Sequence, residues 1–416
     1  MQEQLNDKVS LEELFQAFMD CRENKNNTDG AKKFTPYAFY NLCNLVDEIN
    51  HRKYAPKRSD CFVVKYPVPR EVFCAAFRDR VVQHFVYNEL NPVIERLLIQ
   101  DTCSCREGKG TDYAIQRVQT FVRKETDNWT DIDNVHYAKL DISGFFMSMD
   151  RQKVLSDMLF IVDHIYKGPH KEALRYLLPI IILTDVTKNA NRLSPLSDWD
   201  LIPARKSLFG NDKGLPIGNI TSQLFANFYL NRLDHIMKHR HSSYVRYVDD
   251  IIIVDKDRKK LEQSIIMARN ILSTLGMRLN EKKTIISKVK YGIPFLGVRI
   301  YPFYTIVGKK KVSRLYYTTR KFPDIEKAFS SVSCRRGMFV RYKGKRLCKR
   351  WYYSLPEEYK EKIKMETGAK FVLVDRPRTK DNTLKNIRLY DGKGERNEVY
   401  HQRRRNDHSA VRAANF

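Results

Sequence analysis

Apolar residues recur every three or four positions in several long stretches of the chain, which is the spacing of one buried helix face. These stretches predict helices at 9–24, 37–49, 70–88, from about 112, at 220–238 and at 258–275. Shorter runs rich in β-branched and aromatic residues, bounded by Gly, Pro and other turn residues, are typical of strands. They predict strands at 61–66, 136–142, 284–289 and 295–302, and a β-hairpin at 243–254.

From residue 136 onward the predicted elements follow the order β-α-β-β-α-β. This is the order of the split βαβ, or ferredoxin-like, arrangement, and it predicts an α+β fold. Proteins with one fold can have many functions, so the function depends on the residues at the site.

Length and charge narrow the class of protein. With 416 residues, 42% of them hydrophobic, the chain can form one large lobed domain or two to three smaller ones. Its formal net charge is +26 and its pI about 9.6, which implies a polyanionic partner. Aromatic residues make up 12% of the chain, and cations interleaved with aromatics favour nucleic acid over a membrane surface.

The positive charge is concentrated near the C-terminus. Residues 309–416 hold 30 Lys and Arg against 12 Asp and Glu. A like-charge block is often a solvated tail. Apolar and aromatic clusters inside this block, such as 351–353 and 371–374, favour instead a folded basic module that frays only after about residue 400.

Neither the first residues nor the longest apolar run predicts export or membrane insertion. The first 15 residues are acidic and amphipathic rather than basic and then apolar, unlike a signal peptide. The longest apolar run, at 177–183, is far shorter than the roughly 18 residues that a membrane span needs. The eight cysteines suggest neither a disulfide framework nor a zinc site. We therefore expect a cytoplasmic protein with no membrane partner.

The clearest chemical signal is a pair of acidic residues between two apolar runs at 244–254. Asp249 and Asp250 fit the tight turn of a hairpin. An ordinary Asp-bearing turn is the alternative interpretation. Two adjacent carboxylates repel each other, however, and Mg²⁺ is the cation that prefers carboxylate oxygens together with substrate phosphates.

A third carboxylate supports the functional interpretation. Asp141 ends the strand predicted at 136–142, and in a split βαβ sheet this strand lies beside the hairpin. Three carboxylates can bind two metal ions roughly 3.5–4 Å apart, the arrangement used for in-line phosphoryl transfer. That reaction depends mainly on positioning and on charge neutralisation.

Five segments in this order resemble the successive palm motifs of reverse transcriptases: D-I-S-G-F-F, G-L-P-I-G-N-I-T-S-Q, Y-V-D-D, L-G-M-R-L-N-E-K-K-T and F-L-G. Upstream, R-D-R-V-V-Q-H at 78–84 and R-E-G-K-G at 106–110 resemble the fingers motifs of bacterial members. The resemblance covers about residues 9–302. It implies a right-hand polymerase with fingers (1–135), a ferredoxin-like split-βαβ palm (136–305, with a fingers-side insertion at about 151–210) and a basic thumb with a C-terminal extension (306–416).

The resemblance also implies roles for individual residues. Asp141, Asp249 and Asp250 match the catalytic triad, which together with Ile142 would bind two Mg²⁺ ions, with Mn²⁺ as an alternative. Phe146 matches the bulky gate that excludes a ribose 2′-hydroxyl and so selects dNTPs.

Other positions match nucleotide and primer contacts. Arg106 and Lys109 match residues that hold the triphosphate, with a solvated basic turn as an equally weighted alternative. Lys283 matches a lysine near the leaving group. The turn Phe295-Leu296-Gly297 matches the primer grip.

The segment at 215–223 indicates a subfamily. Most reverse transcriptases have Gln before the glycine and Ser-Pro after it, whereas this chain has Ile217, Gly218 and Ser222-Gln223. This pattern resembles the enzymes of diversity-generating retroelements in bacteria and phages. These enzymes copy a template RNA into cDNA with errors at adenines, and the resemblance implies a small basic accessory protein as partner. Ile217 cannot donate or accept the hydrogen bonds of a glutamine, although it could be a neutral packing residue.

Several alternatives remain from the sequence alone. The segment at 289–292 lacks the Val-Thr-Gly of retron enzymes, and neither Ser-Pro nor a His-Asn endonuclease pattern supports a group II intron enzyme. A defence-associated reverse transcriptase is a further alternative. An alternative of another class is a catalytically inactive RNA-binding protein on a polymerase scaffold.

Overall fold

A computed structural model of the chain describes residues 7–373 apart from 24, 66–67, 189, 322–324 and 367–369. The helices are α1 Leu11–Arg22, α2 Asp29–Phe34, α3 Ala38–Asn50, α4 Phe77–Leu97, α5 Thr111–Glu125, α6 Arg151–His164, α7 Lys171–Leu183, α8 Leu196–Trp199, α9 Ile220–Tyr229, α10 Asn231–Arg240, α11 Arg258–Thr274, α12 Lys309–Lys321, α13 Ile325–Arg341, α14 Lys345–Tyr353 and α15 Glu357–Lys362. The strands are β1 Asp60–Val64, β2 Arg70–Cys74, β3 His136–Asp141, β4 Asn191–Arg192, β5 Tyr244–Tyr247, β6 Asp250–Asp255, β7 Ile285–Lys288, β8 Ile293–Phe295, β9 Val298–Ile300, β10 Thr305–Val307, β11 Ile363–Glu366 and β12 Lys370–Leu373.

A four-stranded sheet in the order β5-β6-β3-β7 lies at the centre of the fold. Its neighbouring strands are all antiparallel. With helices α9 and α10 before β5 and α11 after β6, this is the predicted split βαβ arrangement. The prediction of an α+β fold with this sheet is confirmed.

The continuous apolar run of β6 results from burial on both faces of the sheet. Ile251 and Ile253 belong to one hydrophobic core, and Ile252 and Val254 belong to a second one. Successive side chains of a strand point to opposite faces, so covering both faces requires an apolar residue at every position. The sheet is therefore fixed between two cores, and the turn at its end is held rigidly.

The helix predicted at 70–88 begins at Phe77, so the prediction was wrong over its first seven residues. β2 instead pairs antiparallel with β1, and its buried residues alternate with less buried ones. Its buried Glu71 accepts hydrogen bonds from the Ser207 hydroxyl and from the Leu208 N–H. These long-range contacts override the local helical spacing of the apolar residues.

Two other predicted elements are divided. The helix at 220–238 breaks at Leu230 into α9 and α10, and the strand at 295–302 is interrupted by a turn between β8 and β9. The helix at 258–275 and the hairpin at 243–254 are confirmed. The strand predicted at 61–66 corresponds to β1, although residue 66 lies outside the described residues.

The basic C-terminal part is folded as far as it is described. Helices α12–α15 and the β11–β12 hairpin pack around fully buried Trp351 and Phe339, in the second hydrophobic core. This confirms a folded basic module up to residue 373. The fraying expected after about residue 400 lies outside the described residues. Among the helices that are described, none has the length and apolar character needed to cross a bilayer.

Candidate active site

The hairpin formed by β5 and β6 carries two adjacent aspartates at its turn. Tyr247 and Asp250 are the last paired residues, so Val248 and Asp249 form the turn. The φ angle of Val248 is +56°, a left-handed conformation that is costly for a β-branched residue. The guanidinium of Arg246 supports this turn, because its Nη1 donates a hydrogen bond to the Val248 carbonyl oxygen at 3.2 Å.

Arg246 is itself fixed by a buried ion pair. Its Nε and Nη2 donate to the Asp234 carboxylate at 2.6–3.0 Å, and neither side chain is exposed to solvent. The same carboxylate accepts hydrogen bonds from the hydroxyls of Tyr244 at 2.6 Å and of Thr102 at 2.7 Å. A buried charge requires this degree of hydrogen bonding. The network therefore anchors the hairpin to α10 and to the segment around Thr102.

The third carboxylate reaches the hairpin through the register of the sheet. β3 ends at Asp141, which lies directly opposite Asp250 on β6. The contact continues at the next residue, because the Ile142 N–H donates to the Asp249 carbonyl oxygen at 3.2 Å. Opposed residues on antiparallel strands have Cα atoms only about 4.5–5.5 Å apart. The sheet thus brings Asp141, Asp249 and Asp250 together at one end.

Two lysines and an asparagine contact these carboxylates. Lys283 Nζ lies 2.8 Å from Asp141 Oδ2, and Asn280 Nδ2 donates to Asp141 Oδ1 at 3.0 Å. Lys139 Nζ lies 3.3 Å from Asp250 Oδ1. Neither Lys139 nor Asn280 is among the residues predicted from the sequence. Lys139 precedes Asp141 by two residues and shares its strand face, which is the sequence signal that identifies it.

The negative charges of the cluster repel one another, and this repulsion changes the pKa of Asp249. Burial, together with the negative charges of Asp250 and Asp141, raises the pKa of Asp249 to about 6. Burial lowers the pKa of Lys283, but the hydrogen bond and charge of Asp141 outweigh it, so the pKa of Lys283 is raised overall. A cation among the carboxylates favours their charged forms. The cluster is therefore suited to a metal ion.

The donor set fits Mg²⁺, which takes oxygen ligands. Within the described residues, no group of three or more His, Cys, Asp or Glu side chains is arranged to hold a metal ion by itself. Magnesium does not need such a group, because it keeps several waters and binds through one or two carboxylates plus substrate phosphates. Asp141, Asp249 and Asp250 supply carboxylate oxygens, and the main chain of Ile142 lies beside them.

A turn after β3 positions the two phenylalanines. Gly144 has a φ of +59° and precedes a short 3₁₀ helix at Phe145–Ser148. Phe145 is buried in the core, Phe146 is half-buried, and their rings meet edge-on with centroids 5.2 Å apart. The Leu215 N–H donates to the Phe146 carbonyl oxygen at 2.9 Å. The structure thus joins the predicted sugar gate to the loop before α9.

That loop packs against β2, a strand that the apolar pattern does not predict. The Phe73 N–H donates to the Ile217 carbonyl oxygen at 2.8 Å. Gly218 has a φ of +126°, and a Cβ there would lie 2.3 Å from the Phe73 carbonyl oxygen. Only glycine fits so close to another backbone. The half-buried Ile217 side chain packs on a small apolar cluster that contains Phe73, Met147 and Leu208.

Arg106 and Lys109 are placed differently from each other. The Arg106 side chain is 4% exposed and pairs with Glu95 at 2.8 Å. Its Nη1 donates to the carbonyl oxygens of Ile99 and Thr102 at 2.7 and 2.8 Å. These contacts favour a structural role for Arg106. Lys109 is nearer to solvent, and its Nζ donates to a carbonyl oxygen of the neighbouring segment at 3.1 Å.

The predicted primer grip is the turn between β8 and β9. Leu296 and Gly297 both have positive φ, +47° and +88°, while Phe295 is buried in the core. Lys139, the lysine on Asp250, also donates to the Pro294 carbonyl oxygen at 3.1 Å. This one side chain therefore connects the turn to the carboxylate cluster.

More than half of the sequence matches a known protein family. The sequence model of the family described as "Reverse transcriptase (RNA-dependent DNA polymerase)" matches residues 67–300, which is more than half of the chain. The chain belongs to the reverse transcriptase family. The matched reverse transcriptase region contains β3, the β5–β6 hairpin and hence all three aspartates. No curated protein matches the chain in sequence.

Solved structures similar to this reverse transcriptase include telomerases. One is a Candida albicans telomerase in complex with a fragment of telomeric RNA (12% identity, TM-score 0.43, 78% of this chain and 65% of that one). Two are apo telomerases from Candida tropicalis, one of them truncated from its C-terminal domain (14% identity in both; TM-scores 0.45 and 0.42; 68% and 65% of this chain; 52% and 60% of those chains). The chain therefore spans less than two thirds of their length.

Proposed function

We propose that this chain is an RNA-directed DNA polymerase that transfers nucleotides from dNTPs to a primer 3′-hydroxyl at Asp141, Asp249 and Asp250. The observation that carries the proposal is the register that places Asp141 opposite Asp250, with Asp249 in the adjoining turn. In this assignment residues 1–135 are the fingers, 136–305 the palm and 306–416 the thumb and C-terminal extension. Template RNA and the primer or cDNA are the partners.

The carboxylates would hold two Mg²⁺ ions, with Mn²⁺ as an alternative. When bound, such ions lower the pKa of the attacking hydroxyl and neutralise the leaving group. The Lys283 side chain is 60% exposed and is already directed toward the cluster. Its ammonium would pair with the charge that develops on the pyrophosphate. Lys139 would keep Asp250 and the primer-grip turn in one geometry.

Incorporation of radiolabelled dNTP distinguishes a polymerase from an inactive RNA-binding protein. Given a DNA primer annealed to an RNA template, the purified chain should extend the primer with Mg²⁺ or Mn²⁺. Chelation of the metal with EDTA should stop the extension. Tight binding of the primed RNA without any incorporation would support the RNA-binding alternative instead.

Phe146→Ala should relax sugar selection. The ring is half-buried and follows the catalytic strand, where it would close the space beneath the 2′-carbon of the incoming sugar. We expect the preference for dNTP over rNTP in kcat/KM to fall at least tenfold. Phe146→Leu, which keeps most of the bulk, is the matched control. An unchanged preference in Phe146→Ala would mean that the ring is a packing residue.

We further propose that the enzyme belongs to a diversity-generating retroelement of a bacterium or phage and copies its template RNA with errors at adenines. The support is the pattern of Ile217, Gly218 and Ser222-Gln223 in the loop before α9. Ile217 offers no hydrogen bond to a nascent pair. Its side chain also packs on the cluster that contains Phe73, and the alternative role of Ile217 is packing alone. A small basic accessory protein is the expected partner.

Ile217→Gln should lower the error rate at template adenines. A glutamine can form hydrogen bonds that discriminate a correct pair, and each 1.4 kcal/mol of discrimination corresponds to about a tenfold change in rate. The measurement is deep sequencing of cDNA made from one RNA template by both proteins. Ile217→Leu is the matched control and should leave the error rate unchanged. Equal adenine error rates in wild type and Ile217→Gln would remove Ile217 from the explanation.

A further inference from the structure

Five aromatic side chains from three segments form a surface that the polymerase site does not use. They are Trp129, Tyr291, Tyr301, Phe303 and Tyr304, and we call them the aromatic platform. The rings of Trp129 and Phe303 have centroids 5.8 Å apart, and those of Tyr301 and Tyr304 are stacked at 4.8 Å. Gly292, the residue after Tyr291, lies against the Tyr301 ring. Tyr291 is 60% exposed and Phe303 65% exposed. Such rings offer open faces to a planar partner.

Cations are placed over these rings. Arg123 lies 5.1 Å from the Trp129 ring centroid, Lys290 lies 5.4 Å from that of Tyr291, and Lys343 lies 5.0 Å from that of Tyr304. Helix α14 begins two residues after Lys343 and presents exposed cations on one face, namely Lys345, Arg346, Lys349 and Arg350. Aromatic rings interleaved with cations fit bases that stack and phosphates that pair.

Acidic residues near the platform are already engaged. Asp127 pairs with Lys256 at 2.6 Å, and Asp133 pairs with Lys290 at 2.6 Å. Asp131 accepts a hydrogen bond from the amide of a neighbouring asparagine at 2.8 Å. These three aspartates therefore engage groups other than Arg123 and Lys343, the cations over the Trp129 and Tyr304 rings.

The platform lies at the far end of the sheet from the carboxylates. The Val289 N–H donates to the Val135 carbonyl oxygen at 3.1 Å, which places Tyr291 beside the start of β3. Asp141 is at the other end of that strand. Five residue steps along a strand span about 17 Å. A ligand on the platform is thus separate from one at the catalytic site.

The backbone that carries Trp129 is strained. Asp127, Asn128 and Trp129 have consecutive positive φ values of +47°, +57° and +73°. The Thr126 hydroxyl accepts a hydrogen bond from the Trp129 N–H at 3.0 Å, and Arg123 donates to Asn128 at 2.8 Å. The indole Nε1 of Trp129 is buried and has no hydrogen-bond partner among the described residues. Strain of this kind clusters at binding sites.

We propose that the aromatic platform binds single-stranded RNA outside the template–primer duplex, by stacking bases on Phe303 and Tyr291 and pairing phosphates with the surrounding cations. Unpaired bases can be splayed onto exposed rings, whereas the bases of a duplex are already stacked on one another. This surface would hold a second stretch of RNA while the carboxylates act on the primer end. Binding of RNA to the aromatic platform is a separate property from the polymerase activity and does not depend on that activity.

The test uses the full chain with a fluorescein-labelled oligouridylate of about 15 nucleotides, since single-strand sites span roughly 4–16 nucleotides. Fluorescence anisotropy is measured with the polymerase site saturated by a short, dideoxy-terminated template–primer. The double variant Tyr291→Ala/Phe303→Ala should bind the oligonucleotide at least tenfold more weakly than wild type. Its extension of the same short template–primer, unterminated, should remain within twofold of wild type.

The matched control is Phe39→Ala/Tyr40→Ala, which removes two equally exposed aromatic rings from α3. This control should bind the oligonucleotide as wild type does, and Phe303→Trp should retain binding because it keeps a stacking face. Unchanged binding in the Tyr291→Ala/Phe303→Ala variant would overturn the proposal. Complete displacement of the oligonucleotide by template–primer in wild type would also overturn it.

Discussion

Replacing Asp249 by asparagine is expected to reduce primer extension by a factor on the order of a thousand or more, the scale on which lost transition-state charge stabilisation acts. Asparagine keeps the size of the side chain but removes one negative charge from a cluster built to bind cations. The affinity for template–primer should change little. Extension is measured under single-turnover conditions with Mg²⁺ and with Mn²⁺, so that slow metal exchange does not mask the chemical step.

The same substitution should stabilise the metal-free protein. The pKa of Asp249 is raised to about 6 by burial and by the neighbouring carboxylates, so its charge opposes folding. The protonated carboxyl stabilises the folded state relative to the charged one. This stabilisation is fully present below the unfolded pKa, near 3.8, and is lost as the pH rises through about 6. In EDTA, Asp249→Asn should therefore melt at a higher temperature than wild type at pH 7, and the difference should vanish near pH 4.

The matched control is Asp131→Asn, an aspartate away from the cluster. It should extend primers as wild type does. Extension by Asp249→Asn within tenfold of wild type would contradict the assignment of the metal site. Loss of extension accompanied by a lower melting temperature would show that asparagine at position 249 damages the fold. The assignment would then be tested with Asp250→Asn.

Replacing Arg246 by methionine is expected to destabilise the fold by about 3–5 kcal/mol, because it leaves the Asp234 carboxylate buried without its cation. The turn that carries Asp249 would also lose the hydrogen bond to the Val248 carbonyl oxygen. The melting temperature and the urea midpoint measure the first effect. Primer extension by the fraction that remains folded measures the second.

Two further variants separate the buried pair from an ordinary ion pair. Arg269→Ala removes one partner of an exposed pair with Glu281 and should cost less than about 1 kcal/mol. The double variant Arg246→Met/Asp234→Leu removes both buried charges and should recover much of the lost stability. A cost for Arg246→Met as small as that for Arg269→Ala would mean that Asp234 is satisfied without the arginine.

The parts of the fold that follow from local pattern are predictable from the sequence. β6 is apolar at its four inner positions, 251–254, because both faces of the sheet are covered. Two adjacent aspartates precede this run, so the hairpin and its carboxylates are recognisable in the sequence. Asp141 follows from the order of elements, since the split βαβ topology determines which strand lies beside the hairpin. Both features depend on short-range signals or on one well-known topology.

The remainder depends on contacts between residues far apart in sequence. β2 has helical apolar spacing, but its pairing with β1 and the buried carboxylate of Glu71 decide its conformation. Arg106 matches a family motif, yet Glu95 and two backbone carbonyls engage its guanidinium. Gly218 is required by the Phe73 backbone, an approach that no local pattern reveals.

The most direct test of the central claim is to sequence the DNA made on two different primed RNA templates. With Mg²⁺, dNTPs and one common primer, each product of the purified chain should be the complement of the RNA supplied, and the Asp141→Asn variant should make neither. Errors in the wild-type products should be concentrated opposite adenine. Products that do not change with the template, or no product from either template, would contradict an RNA-directed polymerase at these three carboxylates.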